Sequence, residues 1–562
     1  MVDNICAKLQ PMSGDLAKGF KVMAIDSIKL LFALIAAVNA AYSLAPYAQT
    51  RHNPAIPGWH SDPSCIFVPD RDNTTFCASS TFLLTPGIPI YASKDLTAWR
   101  LASHALSREA QYPEFNLSIP QTDGIWAPTL RYHRGDNAWN VPVQYQAESI
   151  DPDLFWDDDV DVTTGGLGEP RRIWNGSTGN FLEGPQLYKK DGFYYLLAAE
   201  DGSGLNHSVT IARSKSLWGL YQGYEKNPVL TNRNTSEYFQ NIGHADLFQD
   251  ANGHWWSSAL TWRSGPEGQT YPMSREMALT PVTWKQGDWP SFAPVRGIQE
   301  GWYLPPSKAI PGDGPFVNDP DIVVFEPNST LPRNFAFWRW PNKKSYTVSP
   351  PGHPRTLRLT PSMASITSGY NNYTAGYDCT DFTLIMRRQT DTLFQYSVDV
   401  SFAPTVENEE VGVTVFLNQV QNINLGIAIL PANSTNKTDS TLKPHLRFLV
   451  SGLVSNEKDI PSPFVTSVPS PWSQDPIRLI IRAENETHYS FFAASSSRPW
   501  DLLRLGQAPA TIVSGGVGPF TGSLVGVYAT TNNGKGSTKS YISRWRYFGL
   551  AQEIGNGDLV HS

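Results

Sequence analysis

The sequence is short of charge, and of positive charge in particular. Asp, Glu, Lys and Arg make up 17% of the 562 residues, against about 25% in an average domain, and the net charge is −7. Strong non-specific binding of nucleic acid requires a basic face that displaces counterions from phosphate. We therefore expect no nucleic-acid partner.

Cysteine is scarce as well. Four cysteines in a chain of this length are too few for a disulfide scaffold. Cys65 and Cys77 are twelve residues apart, on either side of a predicted hairpin, and could pair with each other. Cys379 has no evident partner, and Cys6 lies in a segment that we expect to be removed.

No helical period is sustained along the chain beyond one apolar run near the start. This run, LLFALIAAVNAAYSLA, follows Lys29 and ends in small residues. We interpret residues 1–45 as an N-terminal extension and signal peptide whose natural start is Met23. An uncleaved membrane anchor is the alternative, although the run is short for a span of about 20 residues.

Ten Asn-X-Ser/Thr sequons follow the apolar run, and this number is typical of a secreted glycoprotein. They lie at Asn73, Asn116, Asn175, Asn206, Asn234, Asn328, Asn372, Asn433, Asn436 and Asn485. We therefore predict an extracellular protein that has no membrane association after signal cleavage.

Turn-forming and aromatic residues, in contrast, are abundant. The chain has 43 Gly, 44 Pro, 18 Trp, 23 Tyr and 26 Phe, which predicts an all-β fold with many short strands. Regular alternation of apolar residues predicts the strands of a β-sandwich over 396–402, 412–418, 445–450, 477–483, 488–494 and 524–530. We assign residues 316–552 to this sandwich, 303–315 to a proline-rich linker and 50–302 to a first domain.

The first domain repeats a pattern five times, in which a polar or aromatic residue precedes an apolar strand. The repeats open at Asp62, Trp126, Asp151, Glu183 and His244. Five such repeats predict a five-bladed β-propeller, whose innermost strands line a central channel. The second and third intervals are only 25 and 32 residues long. A four-stranded blade needs roughly 40–50 residues, so blades two and three lack strands.

Three of these five positions are carboxylates that would converge at one mouth of the channel. Hydrolysis of a glycosidic bond needs one carboxylic acid to protonate the leaving oxygen and a second carboxylate to activate water or attack the sugar. A third carboxylate can raise the pKa of the acid, and Trp126 offers a flat wall for a sugar ring. Taken singly, Asp62 and Asp151 are more often turn residues, Glu183 a solvated carboxylate and His244 a structural histidine.

Seven motifs, in order through residues 50–300, resemble glycoside hydrolase family 43. They are NPAIPGWHSDPSCIF (53–67), GIPIYASKDLTAW (87–99), GIWAPTLRYH (124–133), IDPDLFWDDD (150–159), EGPQLYKKDGFYYLLAAE (183–200), HSVTIARSKSLWGLY (207–221) and GHADLFQD (243–250). The family holds β-xylosidases and α-L-arabinofuranosidases. Segments 350–362 and 387–402 are similar to the concanavalin-like β-sandwich of the fungal β-xylosidase branch.

The resemblance implies an inverting, exo-acting hydrolase that acts on xylan fragments. By motif, Asp62 is the general base, Glu183 the general acid, and Asp151 the residue that orients the acid and tunes its pKa. The substrate-binding residues implied are Arg275, Trp126, Phe82 and His244. No cofactor is expected, apart from a possible structural ion near His244. Inversion predicts that the carboxyl groups of Asp62 and Glu183 are ~6.5–9.5 Å apart.

The sequence departs from the family on both sides of the IDPDLF motif. Family members have many more residues between the RYH strand and IDPDLF, and further strands after the DDD run at 157–159. Both gaps fall where the repeats are too short. An incomplete gene model, or a paralogue that binds sugar without turnover, is therefore the alternative to an active enzyme. The choice between xylose and arabinofuranose stays open.

Overall fold

A computed structural model of the protein describes residues 49–117, 121–132, 150–155, 169–366, 382–432, 441–452, 460–515 and 520–562. Most of the described chain belongs to one compact unit, which contains residues 51–299 and 304–562. Among the described residues, 49–50 and 300–303 belong to a separate unit. The predicted signal peptide and Cys379 lie outside the described residues.

The first half of the chain forms fifteen short strands within the described ranges. They are β1 (Gln49–His52), β2 (Ser64–Val68), β3 (Thr74–Ala78), β4 (Leu84–Thr85), β5 (Gly87–Ser93), β6 (Arg100–Leu106), β7 (Glu183–Lys190), β8 (Phe193–Glu200), β9 (Ser208–Ser214), β10 (Gln222–Gly223), β11 (Phe239–Gln249), β12 (Trp255–Arg263), β13 (Glu276–Thr283), β14 (Ser291–Phe292) and β15 (Ile298–Trp302).

Three four-stranded antiparallel sheets account for most of these strands. Their orders are β2-β3-β5-β6, β7-β8-β9-β10 and β11-β12-β13-β14. Each is a meander, as expected when short strands are joined by the Gly- and Asp-rich turns of this sequence. Aromatic and β-branched residues of the second and third sheets pack together in one core, which includes Tyr195, Val209, Ile211, Phe239 and Trp284.

The strands predicted to begin at Trp126 and Asp151 do not form within the described residues. Residues 121–132 contain only an isolated bridge between Ile125 and Phe82, and residues 150–155 contain no strand. A strand is stable only when neighbours pair with its backbone groups, and no described strand lies between β6 and β7. Residues 133–149 and 156–168 lie outside the described residues, so the shortage of strands in this region and the count of five blades both stay predictions.

The second half forms sixteen further strands in the described residues. They are β16 (Asp321–Val323), β17 (Phe337–Trp338), β18 (Tyr346–Val348), β19 (Leu357–Leu359), β20 (Thr383–Arg388), β21 (Leu393–Ser401), β22 (Glu410–Asn418), β23 (Gln421–Pro431), β24 (Leu442–Ser451), β25 (Phe464–Ser467), β26 (Ile477–Ala483), β27 (His488–Ser495), β28 (Leu503–Pro509), β29 (Leu524–Thr530), β30 (Ser540–Gly555) and β31 (Asp558–His561).

Two large antiparallel sheets make up this second half. A six-stranded sheet has the order β20-β29-β22-β23-β24-β25. The path β18-β19-β30-β21-β26-β27-β28 belongs to a nine-stranded sheet, in which β16 and β31 also pair with β30. Inward-facing residues of both sheets form one core, which includes Tyr396, Val413, Leu479, Val527 and Trp545. All six strands that the alternation predicted are confirmed within a few residues.

Helix is confined to short 3-10 segments in the part of the chain that the structure describes. They are Pro69–Arg71, Glu109–Gln111, Pro113–Leu117, Lys343–Ser345, Ser470–Trp472 and Ala510–Val513. None of the helices in the described ranges is long and apolar enough to cross a membrane.

Candidate active site

Asp62 stands just before β2 and is 4% exposed. Its φ of 51° lies in the left-handed region, which Asp tolerates better than most residues. Two groups donate hydrogen bonds to its carboxylate: Ser80 Oγ to Oδ2 at 2.6 Å and Arg275 Nη1 to Oδ1 at 3.2 Å. Both carboxylate oxygens are therefore fixed in direction.

His244 lies between two aspartates. Its Nδ1 is 3.8 Å from Asp62 Oδ1 and 3.9 Å from Asp151 Oδ2. It sits in β11, where the register with β12 shifts between Gly243 and Asp246. This irregularity, together with a φ of 43° at His244, turns the ring out of the regular ladder and toward the carboxylates.

Asp151 is tied to the start of β7. Its Oδ2 accepts a hydrogen bond of 3.1 Å from the backbone N–H of Gly184, next to Glu183. Gly184 has a φ of 58°, and a Cβ there would be 2.9 Å from Nδ1 of His244. A residue with a side chain would therefore push His244 away from both aspartates.

Glu183 opens β7, and its side chain faces His207. The distance from His207 Nε2 to Glu183 Oε1 is 3.5 Å. Burial raises the pKa of Glu183, but the His207 side chain lowers it, and His244 and Arg275 lower it further. The net result is a pKa below the ordinary value for a glutamic acid.

The carboxyl group whose pKa is raised is that of Asp151. Burial is the largest cause, and the negative charges of Asp62 and Glu183 add to it, against the lowering effect of His244. Like-charge repulsion therefore acts in this cluster, as expected from the sequence. It raises the pKa of Asp151 and not that of Glu183, the predicted acid, because the His207 side chain lowers the pKa of Glu183.

Arg275 has spare hydrogen-bonding capacity at the site. It is 4% exposed, yet its Nε and Nη2 have no hydrogen-bond partner within the described residues. The guanidinium lies over the ring of Phe520, 4.7 Å from the ring centroid. Buried guanidinium N–H groups seek acceptors, and the hydroxyl oxygens of a sugar are suitable ones.

An aromatic wall adjoins Arg275. Phe82 stacks on Phe520 at 6.1 Å between ring centroids, and Trp126 lies 6.2 Å from Phe82. Trp126 is 44% exposed, which leaves a flat apolar face open to a ligand. The seven residues that the sequence predicts for the site are connected in part through two others. Phe520 links Arg275 to Phe82, and the backbone of Gly184 links Asp151 to Glu183.

Sequence reasoning missed Ser80, His207 and Phe520. Phe520 lies just before β29 of the second half, and its backbone carbonyl accepts a hydrogen bond of 2.7 Å from Ser61 Oγ. No local pattern connects residue 520 with residue 61. The sequence did contain a signal for His207, because this residue begins the HSVTIARS motif. It lies directly before β9.

A metal site is not found among the described residues, which contain no group of three or more His, Cys, Asp or Glu side chains that could hold an ion. The ion near His244 stays a prediction.

Two family models match the chain. Glycosyl hydrolases family 43 matches residues 51–139 and 160–290, and a model described as the beta xylosidase C-terminal concanavalin A-like domain matches residues 324–547. Residues 140–159, which include Asp151, lie outside the first match.

Curated relatives match over nearly their whole length. The non-reducing end alpha-L-arabinofuranosidase BoGH43B of Bacteroides ovatus is 31% identical, with 92% of this chain and 98% of the relative covered. The xylosidase/arabinosidase of Butyrivibrio fibrisolvens is 28% identical, over 88% and 98%. A solved structure of the Bacteroides ovatus GH43B from a xyloglucan locus superposes with a TM-score of 0.74 at 29% identity and covers 89% of this chain and 100% of that chain.

Proposed function

Because the chain belongs to glycosyl hydrolases family 43, we propose that it removes terminal xylosyl or arabinofuranosyl residues from xylan fragments with inversion at the anomeric carbon. The observation that carries the proposal is the pair of aspartates beside His244 and the glutamate beside His207, with Arg275 and an aromatic wall at the same site. The curated names of the relatives, an arabinofuranosidase and a xylosidase/arabinosidase, support both sugars.

In the proposed reaction, Asp62 removes a proton from the attacking water. The hydrogen bonds from Ser80 and Arg275 orient its oxygens before the substrate arrives. Water then attacks the anomeric carbon as the glycosidic bond breaks, and the configuration inverts in a single displacement. A base held in one direction contributes through positioning as well as through proton transfer.

Glu183 protonates the leaving oxygen in the same step. Its pKa is lowered in the free protein, where burial opposes the effect of His207. A sugar bound against the aromatic wall excludes water and deepens that burial, which shifts the pKa upward toward the protonated acid. Asp151, whose pKa is raised, is the third carboxylate beside the base and the acid. It accepts a hydrogen bond from the backbone N–H of Gly184 and so holds that backbone next to the acid.

Arg275 and the aromatic residues bind the substrate. The free Nε and Nη2 groups of Arg275 bind hydroxyls of the terminal sugar, and Trp126 with Phe82 forms the wall against which the ring packs. We also propose that the protein is secreted and glycosylated, which the apolar run and the ten sequons of the sequence support. The reaction needs no cofactor.

A sugar-binding protein without turnover is the second candidate. It is favoured by the absence of any described strand between β6 and β7, and by the break in the family match over residues 140–159. Incomplete sheets expose unpaired backbone edges and weaken the support of Asp151. The retained carboxylate set favours the enzyme.

Hydrolysis of nitrophenyl β-xyloside and nitrophenyl α-L-arabinofuranoside by the purified full chain tests the proposal. General acid–base groups contribute about 10²–10⁴-fold, so Asp62→Asn should lower kcat by that range on both nitrophenyl glycosides. Glu183→Gln should do so on an unactivated disaccharide, whose leaving oxygen needs the proton of the acid. NMR of the first product formed should show the inverted anomer. Binding of xylo-oligosaccharide without hydrolysis would support the second candidate, and equal rates in wild type and both variants would refute the assigned roles.

A further inference from the structure

His207 is a fully buried histidine beside the catalytic acid. It precedes β9, and its side chain has no exposed surface. Gly243 of β11 leaves room for the imidazole, because a Cβ at that position would overlap the ring. The ring is therefore held in one orientation by its surroundings, with one edge toward Glu183.

The two ring nitrogens of His207 have different environments. Nδ1 is 3.1 Å from Oδ1 of Asn241, a buried residue. Nε2 is 3.5 Å from Glu183 Oε1, which is too long for a good hydrogen bond, and it has no hydrogen-bond partner among the described residues. An unpaired buried nitrogen is costly, so its direction toward a catalytic carboxylate calls for a functional reason.

We propose that His207 is the positioning residue of the catalytic acid: it holds the Glu183 carboxyl in the direction of the leaving oxygen through a contact to Nε2 that closes when substrate binds. Catalytic hydrogen bonds are often long in the free protein and tighten in the substrate complex. This inference rests on the proposed function, since it assigns Glu183 the role of the acid.

A neutral imidazole suits this task in both protonation states of Glu183. Burial lowers the pKa of His207, so the ring carries a single N–H. That N–H is placed on Nδ1 or Nε2 according to whether Asn241 turns its oxygen or its nitrogen toward the ring. Nε2 can therefore accept a hydrogen bond from the protonated acid or donate one to the carboxylate. The other charged or titratable groups that act on His207 are Arg275 and His244.

Two substrates with different leaving groups distinguish a loss of acid positioning from a general effect on folding. A dinitrophenyl glycoside leaves without much help from an acid, whereas an unactivated disaccharide of the same sugar needs full protonation. His207→Leu should lower kcat/KM about tenfold to a hundredfold on the disaccharide and several-fold less on the dinitrophenyl glycoside. The basic limb of its pH profile should move to higher pH, because an Nε2–H that donates to the Glu183 carboxylate lowers the pKa of Glu183 in the free protein.

Two further variants complete the experiment. His207→Gln keeps a polar group near Glu183 and should recover part of the disaccharide activity. His445→Leu removes a buried histidine of β24, away from the site, and should leave the ratio of the two activities unchanged. Equal losses on both substrates in His207→Leu, or a basic limb that does not move, would overturn the role of His207. A wild-type protein that cleaves neither substrate would instead refute the proposed function.

Discussion

At the scale of single residues, the site is built from backbone positions that most side chains avoid. Asp62, Asp151 and His244 all have a positive φ, between 43° and 58°. Non-glycine residues in this region cost of order 1–3 kcal/mol each and persist only where the surroundings enforce them. Here the hydrogen bonds of Asp62 and Asp151 enforce them, and the result is that three side chains from distant segments face one another.

Replacement of Arg275 should weaken substrate binding without unfolding the protein. Arg275→Met keeps the packing against Phe520 but removes the free Nε and Nη2 groups that we assign to sugar hydroxyls, together with the hydrogen bond from Nη1 to Asp62. A hydrogen bond to a charged group is worth about 1.5–3 kcal/mol, so kcat/KM should fall roughly tenfold to a hundredfold or more. Steady-state kinetics of the wild type and the variant measure the change in kcat/KM. Arg275→Lys keeps the charge without the planar fork and should recover little; an unchanged kcat/KM in Arg275→Met would refute the assignment.

Asp153 should make stability fall as pH rises. Its carboxyl pairs with Arg131 at 2.9 Å, yet burial raises its pKa to about 6 against the opposing charge of Arg131. The unfolded value is near 3.8, so between these two pH values the unfolded chain loses its proton first and the folded state is disfavoured. Above pH 6, the resulting decrease in the free energy of unfolding approaches about 3 kcal/mol.

Chemical denaturation of the wild type and of Asp153→Asn at about pH 4 and about pH 7 tests this linkage. The asparagine does not titrate, and Arg131 keeps its contact with Asp246 at 3.3 Å. The free energy of unfolding of the wild type should fall relative to the variant between the two pH values. A difference between the two proteins that is the same at both pH values would show that Asp153 does not titrate in this range.

At the scale of elements, the hairpin of β2 and β3 contains a disulfide. Cys65 and Cys77 are directly paired residues of the two strands, and the predicted bond is confirmed. The bond closes a short loop directly after Asp62, so it restricts the unfolded chain and stabilises the segment that carries the base. By loop length, Cys77→Ser should lower the free energy of unfolding by about 2–3 kcal/mol.

The remaining cross-strand pairs keep the register of this hairpin, so the variant should still fold. Urea denaturation of Cys77→Ser, compared with the wild type under reducing conditions, measures the effect. Cys77→Ser and the reduced wild type should have the same free energy of unfolding, because both lack the disulfide. A reduced wild type that is as stable as the oxidised protein would contradict a stabilising role for the disulfide.

Elements differ in how well the sequence predicts them, and the reason is physical. Strands β21, β22, β24, β26, β27 and β29 follow from alternation alone, because each has one face in the core. The residues at 126–130 and 151–155 have similar local composition but no described strand, since pairing depends on neighbours that local composition does not report. Motifs located Asp62, Glu183 and His244, whereas the contact of Phe520 with Arg275 joins residues 245 positions apart and has no local signal.

At the scale of the whole molecule, the two halves share buried structure. One core cluster combines Trp59 and Phe82 of the first half with Trp338, Phe416 and Leu524 of the second. Strand β4 of the first half also pairs with β17 of the second. Phe520 and Arg275 meet at this boundary, so the second half contributes an aromatic ring to the candidate site.

Arg263 connects the halves most directly, and its removal should destabilise both together. It is buried in β12, pairs with Glu276 of β13 through Nη2 at 2.9 Å, and donates from Nη1 to Thr392 Oγ1 at 3.1 Å and Gln552 Oε1 at 2.6 Å. Arg263→Met leaves Glu276 fully buried without its cation, which typically costs roughly 3–5 kcal/mol.

The charge of Glu276 is the main source of that cost, so a second substitution should relieve it. Arg263→Met combined with Glu276→Gln keeps the hydrogen bond from the N–H of Gly58 and removes the unpaired charge, and it should recover about half of the lost free energy of unfolding. Fluorescence of the tryptophans and far-ultraviolet circular dichroism should report one shared transition in all three proteins, because the halves unfold as a unit. Two separate transitions in the wild type, or a double variant less stable than Arg263→Met, would show that the halves are held together by other contacts.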